Sequence, residues 1–541
     1  MIFKIAETKG REDMGRYIDP GNDGFRLLSQ KNYVDKTGVI GLINDRIGTN
    51  ECLICISRPR RFGKSYAAKT VCAYYDCSVD SHELFDRYTL SDSPSYEEHI
   101  NKYNVISLDM TEIISTHGAG TEKANDLIKD LCTEIKDEVC SVYSQIDSDG
   151  SIFKVLYDYV SISKRKIVFV IDEWDAIIRE FSKDEALQKR YIDLLRGLFK
   201  NGNFTPTCIA AAYMTGILPI KKDKGQSALS DFKEYTVLTP GKFAGYIGFR
   251  EDEVKALCDK TNMGFEQMKW WYDGYSFGRI GDIYNPYSVM TAIDQQSFGS
   301  YWKKTSAAES LQTYVDMDYE GLQGDIEKLI KGAEIIVDTD NFKNDLANFS
   351  TKDDILTLLI HLGYLTYDSE NRLARIPNEE LRSEFRSMLK TVRSPELMKL
   401  VSTSKQILED TLTGNCDNIA GAFDELCETN YAPTFYNNEQ SLRSMVRLAY
   451  LAAVDRYIKV EELPSGKGLA DIVYIPQRYS PEPALVVELK WNRSAESALD
   501  QIHERNYPAV LKNYGGEILL VGINYDTKEK KHICKIERIE K

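Results

Sequence analysis

Over the first 240 residues, short apolar runs alternate with longer helical patterns. Cys52 to Ile56 is continuously apolar, with Ser57 closing the run. A basic turn containing a glycine follows, and then a helical pattern through Tyr66-Ala67-Ala68-Lys69-Thr70-Val71. Tyr103 to Asp109, Lys166 to Ile171 and Thr207 to Met214 repeat the theme. The last two runs end in Asp172-Glu173 and Thr215-Gly216. Apolar strands separated by helical crossovers predict a mostly parallel α/β sheet covered on both faces. A ligand site is expected at the carboxyl ends of its strands.

Near Pro240-Gly241 the pattern changes. Residues 241–398 read as largely helical, with an aromatic segment Trp270-Trp271-Tyr272-Asp273-Gly274-Tyr275. Ile355 to Ile360 leads into Leu362-Gly363-Tyr364, and Asn371 to Ile376 returns as a strand before Pro377-Asn378 opens another helix. That order is winged-helix-like; helical packing between two functional regions is the plainer reading. Residues 399–541 change pattern again. Ser441 to Asp455 reads as a helix with Leu442, Met445, Val446, Leu448 and Ala449 on its apolar positions. Strands are predicted at Tyr457–Leu463, Leu469–Ile475 and Ala484–Leu489. A helix over Ala495–Lys512, a strand at Ile518–Ile523 and an edge at Ile533–Ile536 complete the order. The expected division is thus 1–240, 241–398 and 399–541.

Composition narrows the function classes. A chain of 541 residues exceeds the usual domain size of about 150 several-fold, and 43% hydrophobic residues suffice for sizeable cores. The net charge of −15 argues against coating nucleic acid through bulk charge, while leaving room for a local basic channel. No run of 18 apolar residues points to a membrane span, and the Met1-Ile2-Phe3-Lys4 start lacks a signal-peptide pattern. Cys52 and Cys55 have CxxC spacing inside an apolar run, which reads as buried thiols before it reads as a redox or metal pair. A reducing cytoplasm is the expected compartment.

Arg58-Pro59-Arg60-Arg61-Phe62-Gly63-Lys64-Ser65 has the latter half of a P-loop between a strand and a helix. Gly63 permits a close turn whose amides face phosphate oxygens. Lys64 would reach the β- and γ-phosphates, and Ser65 would coordinate Mg²⁺. The departure is Arg58 at the usual first glycine, where a left-handed backbone would cost about 1–2 kcal/mol. The three arginines could supply further phosphate contacts or pair with acidic neighbours. Asp172, ending an apolar strand, suits Mg²⁺ binding, and Glu173 suits polarising the attacking water. Thr215 reads equally as a polar sensor of the γ-phosphate and as a cap on the turn after its strand. No guanine-specific signature follows, which favours ATP. Asp35 and Lys36 could brace the nucleotide entrance or base pocket, with a local ion pair as the plainer reading.

A second constellation lies towards the end of the chain. Glu488 and Lys490, two residues apart, share one strand face about 6.6 Å apart. A neighbouring strand carries Asp471, and pairing the two would converge Asp471, Glu488 and the peptide oxygen of Leu489 on Mg²⁺ or Mn²⁺. Such an ion lowers the pKa of bound water, and Lys490 would sit beside the reacting phosphate. A salt bridge between Glu488 and Lys490 is the competing reading.

Tyr33-Val34-Asp35-Lys36-Thr37, Arg58 to Ser65, Ile171-Asp172-Glu173-Trp174-Asp175, Tyr272-Asp273-Gly274-Tyr275 and Asn285-Pro286-Tyr287-Ser288 occur in that order. Together they resemble prokaryotic AAA-ATPase-like proteins that carry a C-terminal PD-(D/E)XK nuclease-superfamily domain. The resemblance implies a P-loop NTPase core with a helical or winged-helix-like middle region, then a restriction-endonuclease-like α/β domain. It implies that arginine at the first P-loop position is compatible with the family. It adds Glu439 as a helix-borne acid of the metal site and Gln501 as its polar neighbour. His503 does not share a helical face with Gln501. The expected function is ATP binding and hydrolysis coupled to metal-dependent nucleic-acid cleavage, with DNA preferred by resemblance alone. The alternative is an ATP-responsive scaffold whose nuclease-like domain is inactive. A protein partner or homo-oligomer is compatible with both.

Overall fold

The structure is a computed structural model. It describes residues 15–30, 32–117, 126–220, 222–223, 226–227, 229–278, 280–302, 321–340, 342, 351–389, 395–430, 439–465, 468–476, 480, 482–504, 511, 514 and 516–539. The chain divides into two compact units. One comprises Met1–Leu311, Tyr319–Leu322 and Glu334–Glu384; the other comprises Gln312–Asp318, Gln323–Ala333 and Phe385–Lys541.

The first unit is built on β1 (Leu53–Ser57), α1 (Lys64–Tyr75), β2 (Asn104–Asp109), β3 (Ile167–Asp172), α2 (Ala176–Glu180), β4 (Ile209–Gly216) and β5 (Lys233–Tyr235). The sheet order is β2-β3-β4-β1-β5, and all four ladders are parallel. β1, β3 and β4 are buried throughout, as their unbroken apolar runs require. β4 begins later than the apolar run predicts, because Thr207 lies in a short helix, Phe204–Cys208. Asn201 Oδ1 accepts from the Asn203 and Phe204 amides at 3.1 Å each, which turns the chain into that helix. Since β4 sits between β1 and β3, the ends of all three strands meet along one edge of the sheet.

Further elements of this unit follow. α3 (Pro286–Gln295) starts at Asn285, whose Oδ1 accepts from the Tyr287 and Ser288 amides at 2.9 and 3.3 Å. Pro286 occupies the first turn, where its missing N–H costs nothing. α4 (Lys352–Leu362) is opened by Thr351 and Asp354 capping one another and closed by left-handed Gly363. A hairpin of β6 (Thr366–Asp368) and β7 (Leu373–Arg375) comes next, with Ile335–Ile336 on the other side of β7. The aromatic segment is core. Trp271, Tyr272 and Tyr275 are buried, and left-handed Gly274 leaves no room for a Cβ, which would lie 2.1 Å from the Pro377 carbonyl oxygen.

The second unit contains α5 (Glu439–Ala449), β8 (Tyr457–Ser465), β9 (Gly468–Pro476), β10 (Ala484–Trp491), α6 (Ala495–Glu504), β11 (Ile518–Asp526) and β12 (Lys531–Ile539). The strands lie in sequence order. β10 and β11 run parallel, and the other neighbours are antiparallel. The α-β-β-β-α-β order expected from the sequence is present. α5 packs against β10, and α6 packs against β10 and β11. Gly522 of β11 makes the second packing possible, since a Cβ there would lie 2.6 Å from the Ala495 carbonyl oxygen. The remainder of the helix predicted to Lys512 falls largely outside the described residues.

Candidate functional sites

Between β1 and α1 the chain makes two left-handed turns, at Arg61 (φ 69°) and at Gly63 (φ 89°). Arg58 takes neither. The loop enters with ordinary backbone angles, and the Arg58 amide donates to Gly216 O at 3.0 Å, continuing the β1–β4 ladder. The strain feared at this position is absent, and the turn is displaced to Arg61. The Arg58 side chain is fully buried. Its Nη1 donates to the Ser57 and Tyr235 carbonyls at 3.0 Å each, and its guanidinium lies 4.9 Å from the Phe277 ring centroid. Burial lowers its pKa to about 9. Arg61 Nη1 donates to Tyr301 O at 2.7 Å and stacks on Tyr287. Phe62 packs edge-on against Tyr275, and Pro59 abuts Gly363.

Lys64 is only 3% exposed. Its Nζ donates to the carbonyls of Arg58 and Pro59, 3.1 Å each, and stands 3.3 Å from Glu173 Oε1. The ammonium is thus enclosed by its own loop and one carboxylate. The hydroxyl of Ser65, second in α1, is near enough to the Asp172 carboxylate to favour its ionised form, and Thr215 Oγ1 donates a hydrogen bond to the same group. Burial pushes the Asp172 carboxyl up, while the Ser65 and Thr215 hydroxyls work against that shift. Hard oxygens from Ser65 and Asp172 therefore meet at the strand ends beside Lys64, a donor set that fits Mg²⁺. Burial also opposes ionisation of Glu173, yet Lys64 and Arg179 outweigh it and hold that carboxyl below its ordinary value. Arg60 is half-buried nearby, among the charges of Arg179, Glu173 and Asp175.

Two features were not read from the sequence. Arg179 of α2 donates from Nη2 to Glu173 Oε2 at 2.6 Å and from Nε to Asp175 Oδ2 at 3.0 Å. Asp175 is fully buried and also accepts from the Ile217 and Leu218 amides, at 3.2 and 2.9 Å. The i, i+4 spacing of Asp175 and Arg179 was the available signal. Asp35 and Lys36 do not pair with one another. Asp35 accepts from the amides and hydroxyls of Thr37 and Thr89, whereas Lys36 Nζ meets Glu253 at 2.6 Å and Gly245 O at 2.8 Å.

In the second unit, Glu488 and Lys490 of β10 are 2% and 6% exposed. Lys490 Nζ donates to Glu488 Oε1 and to Leu489 O, both at 3.1 Å. Two of the expected metal-facing oxygens are thus turned towards one point, where a cation already stands. A carboxylate and a peptide oxygen are ligand types that a hard divalent ion takes. Gln501, carried by α6, donates from Nε2 to the same Glu488 oxygen. α6 is positioned by its Ser494 and Ser497 cap and by the close approach at Gly522, which lies opposite Glu488 in the ladder. Asn524, opposite Lys490, is fully buried, and its Oδ1 accepts from the Arg493 amide at 3.0 Å. The ladder pairs Ile472 with Val487, and Asp471 and Glu488 are the next residues along their strands. Glu439 opens α5. The side chains of Asp471, Glu439 and His503 lie outside the described residues. Among the described residues no group of three His, Cys, Asp or Glu side chains is arranged to hold a metal.

Residues 21–224 match the family model described as predicted AAA-ATPase, and residues 437–535 match the PD-(D/E)XK nuclease superfamily. No curated protein matches the chain. Solved structures similar to it include the Walker-type ATPase of Pyrococcus abyssi, 13% identical, covering 67% of this chain and 99% of that one, with a TM-score of 0.32. The ORC2 protein of Aeropyrum pernix, in its ADPNP–ADP complexes, is 10% identical over 68% and 98% of the two chains, with a TM-score of 0.29. Cdc6p from Pyrobaculum aerophilum is 12% identical over 68% and 97%, with a TM-score of 0.22. The N-terminal half has the P-loop ATPase fold of the AAA type, and the C-terminal region has the restriction-endonuclease-like α/β fold.

Proposed function

We propose that this chain, which joins an AAA-ATPase-like domain to a PD-(D/E)XK nuclease-superfamily domain, hydrolyses ATP and uses that cycle to regulate metal-dependent cleavage of nucleic acid. DNA is the preferred substrate. The observation that carries the ATPase half is the meeting of Lys64, Ser65, Asp172 and Glu173 in front of the left-handed Gly63 turn. In this reading Lys64 leaves the Arg58 and Pro59 carbonyls for the β- and γ-phosphates. Ser65 and Asp172 hold Mg²⁺, which supplies charge neutralisation on the phosphates. Glu173 orients the attacking water, and Thr215 fixes the Asp172 carboxylate.

The nuclease half follows the same logic. Glu488, the Leu489 carbonyl and Asp471 hold a divalent ion, Mg²⁺ or Mn²⁺, with Glu439 as a further acid. That ion supplies Lewis-acid activation of water. Lys490 places positive charge beside the scissile phosphate, and Gln501 orients Glu488. Among the described residues no helix is long and apolar enough to cross a membrane, and we assign the protein to the cytoplasm.

A second reading, an ATP-responsive scaffold with an inactive nuclease-like domain, draws support from the net charge of −15, which disfavours polyanions at long range. One assay separates the two. Wild-type and Glu488→Gln proteins are incubated with DNA and RNA, with Mg²⁺ or Mn²⁺, and with ATP, a non-hydrolysable analogue or no nucleotide. Cleavage by the wild type that Glu488→Gln abolishes supports the nuclease. Absence of cleavage under every condition leaves the scaffold.

A further inference from the structure

Glu173 is held from two sides. Lys64 Nζ stands 3.3 Å from Oε1, and Arg179 Nη2 donates to Oε2 at 2.6 Å. These two cations are not equivalent once a nucleotide enters. Lys64 belongs to the phosphate loop, and the ATPase reading requires it to turn to the phosphate oxygens. Arg179 lies on α2, behind the acidic pair, and already has a second anchor. Its Nε donates to Asp175 at 3.0 Å. A guanidinium spans two carboxylates in a fixed fork, which an ammonium cannot reproduce.

Asp175 extends the bracing to the neighbouring strand. One of its oxygens accepts from Arg179 and from the amides of Ile217 and Leu218, at 3.2 and 2.9 Å. Those amides follow Thr215 and Gly216, the end of β4. The Thr215 carbonyl accepts from the Trp174 amide at 2.8 Å, while its hydroxyl donates to Asp172. Gly216 is tightly enclosed, since a Cβ there would lie 2.8 Å from Asp175. The loop after β3 and the end of β4 are therefore tied together on both sides of Glu173. Glu173 itself adopts a left-handed backbone (φ 51°), so its direction depends on that surrounding frame.

We propose that Arg179, anchored by Asp175, is the positioning residue that holds Glu173 in line with the γ-phosphate once Lys64 has turned to the nucleotide. The assignment rests on the ATPase reading above and adds to it a residue outside the P-loop and the Asp172-Glu173 pair. Arg179 does not contact the nucleotide in this scheme. It acts through Glu173, so its loss lowers the rate of hydrolysis and spares ATP binding.

The test compares Arg179→Lys and Arg179→Ala with the wild type, measuring both the ATP dissociation constant and single-turnover hydrolysis. Arg179→Lys keeps the charge that buried Asp175 faces and gives up the fork. The expected result is a loss of hydrolysis of about tenfold for Arg179→Lys and about a hundredfold for Arg179→Ala, with ATP affinity within about threefold of wild type. Hydrolysis by Arg179→Lys within about twofold of wild type overturns the assignment. So does a parallel loss of affinity and rate in both variants, which is the signature of a purely structural role. A wild-type protein that binds ATP and does not hydrolyse it overturns the positioning role while leaving the nucleotide site standing. A wild type that does not bind ATP overturns both.

Discussion

Lys64 Nζ stands 3.3 Å from Glu173 Oε1 while also donating to the carbonyls of Arg58 and Pro59. The lysine proposed to meet the phosphates and the glutamate proposed to orient water are thus paired with each other. Glu173→Gln should separate their roles. The amide removes the charge that competes for Lys64 and the group proposed to orient water. ATP affinity is expected to stay the same or rise, and steady-state hydrolysis to fall by about a hundredfold or more. Lys64→Ala should instead weaken ATP binding by at least about tenfold. Fluorescent-nucleotide titration and phosphate release measure the two effects on the same preparations.

Two glycines with similar backbone angles should respond very differently to alanine. Gly63 (φ 89°) has open space where a Cβ would stand, so Gly63→Ala bears only the conformational cost of about 1–2 kcal/mol. Gly274 (φ 95°) would place its Cβ 2.1 Å from the Pro377 carbonyl oxygen, and backbone must move. Thermal unfolding of the first unit should show Gly274→Ala lowering the midpoint by more than twice the shift of Gly63→Ala. Equal shifts would contradict the close packing of the aromatic segment against Pro377.

The parts of this fold that were legible in the sequence are those fixed by local pattern. Apolar runs ending in polar residues located β1, β3 and β10, because a strand covered on both faces needs an unbroken run. The Asp172-Glu173 pair was legible because it ends such a run. Arg179 was not, since an i, i+4 pair with Asp175 is a common helical pattern and its reach to Glu173 depends on the left-handed backbone at that residue. Arg58 was misleading in the same way. Its type suggested an anion contact, but its side chain is buried against Tyr235 and Phe277. In the second unit the spacing of Glu488 and Lys490 was informative, while Gly522 and Asn524 gain their meaning only from the parallel register of β10 and β11.

Glu380 gives the first unit a pH dependence of definite sign. Burial pushes its carboxyl up from 4.5 to about 7, although the Ser288 hydroxyl and the Tyr301 amide, at 2.8 Å each, work in the opposite direction. In the unfolded chain the group ionises near its ordinary value. Between about 4.5 and about 7 the unfolded state has therefore released a proton that the folded state keeps. Stability falls as pH rises through that window, by roughly 3 kcal/mol from this group, and levels off above it. Glu380→Gln keeps the acceptor and removes the titration, so its stability should change less between pH 5 and pH 8. Urea unfolding followed by tryptophan fluorescence in a Trp491→Phe background reads the first unit, which holds Trp174, Trp270, Trp271 and Trp302. An unchanged pH slope in Glu380→Gln would refute this.

The choice of substitution decides whether the proposed nuclease site can be tested cleanly. Glu488 and Lys490 are both buried, and Lys490 Nζ is 3.1 Å from the Glu488 carboxylate. Removing one member of a buried pair costs about 3–5 kcal/mol, because the remaining charge has lost its counter-charge in a poorly solvated place. Glu488→Ala should therefore lower the stability of the second unit as well as any cleavage, and a loss of cutting in that variant alone has two explanations. Glu488→Gln retains the shape and an acceptor for Lys490 and Gln501, while weakening the donor set for a divalent ion. Its expected phenotype is a second unit destabilised less than in Glu488→Ala, together with loss of Mg²⁺-dependent cleavage. Urea unfolding followed through Trp491 fluorescence, in a chain whose other tryptophans are replaced by phenylalanine, compares the stabilities, and DNA cleavage at increasing Mg²⁺ compares the activities. Full cleavage by Glu488→Gln at wild-type Mg²⁺ concentrations would remove Glu488 from the metal site and leave it as the structural partner of Lys490.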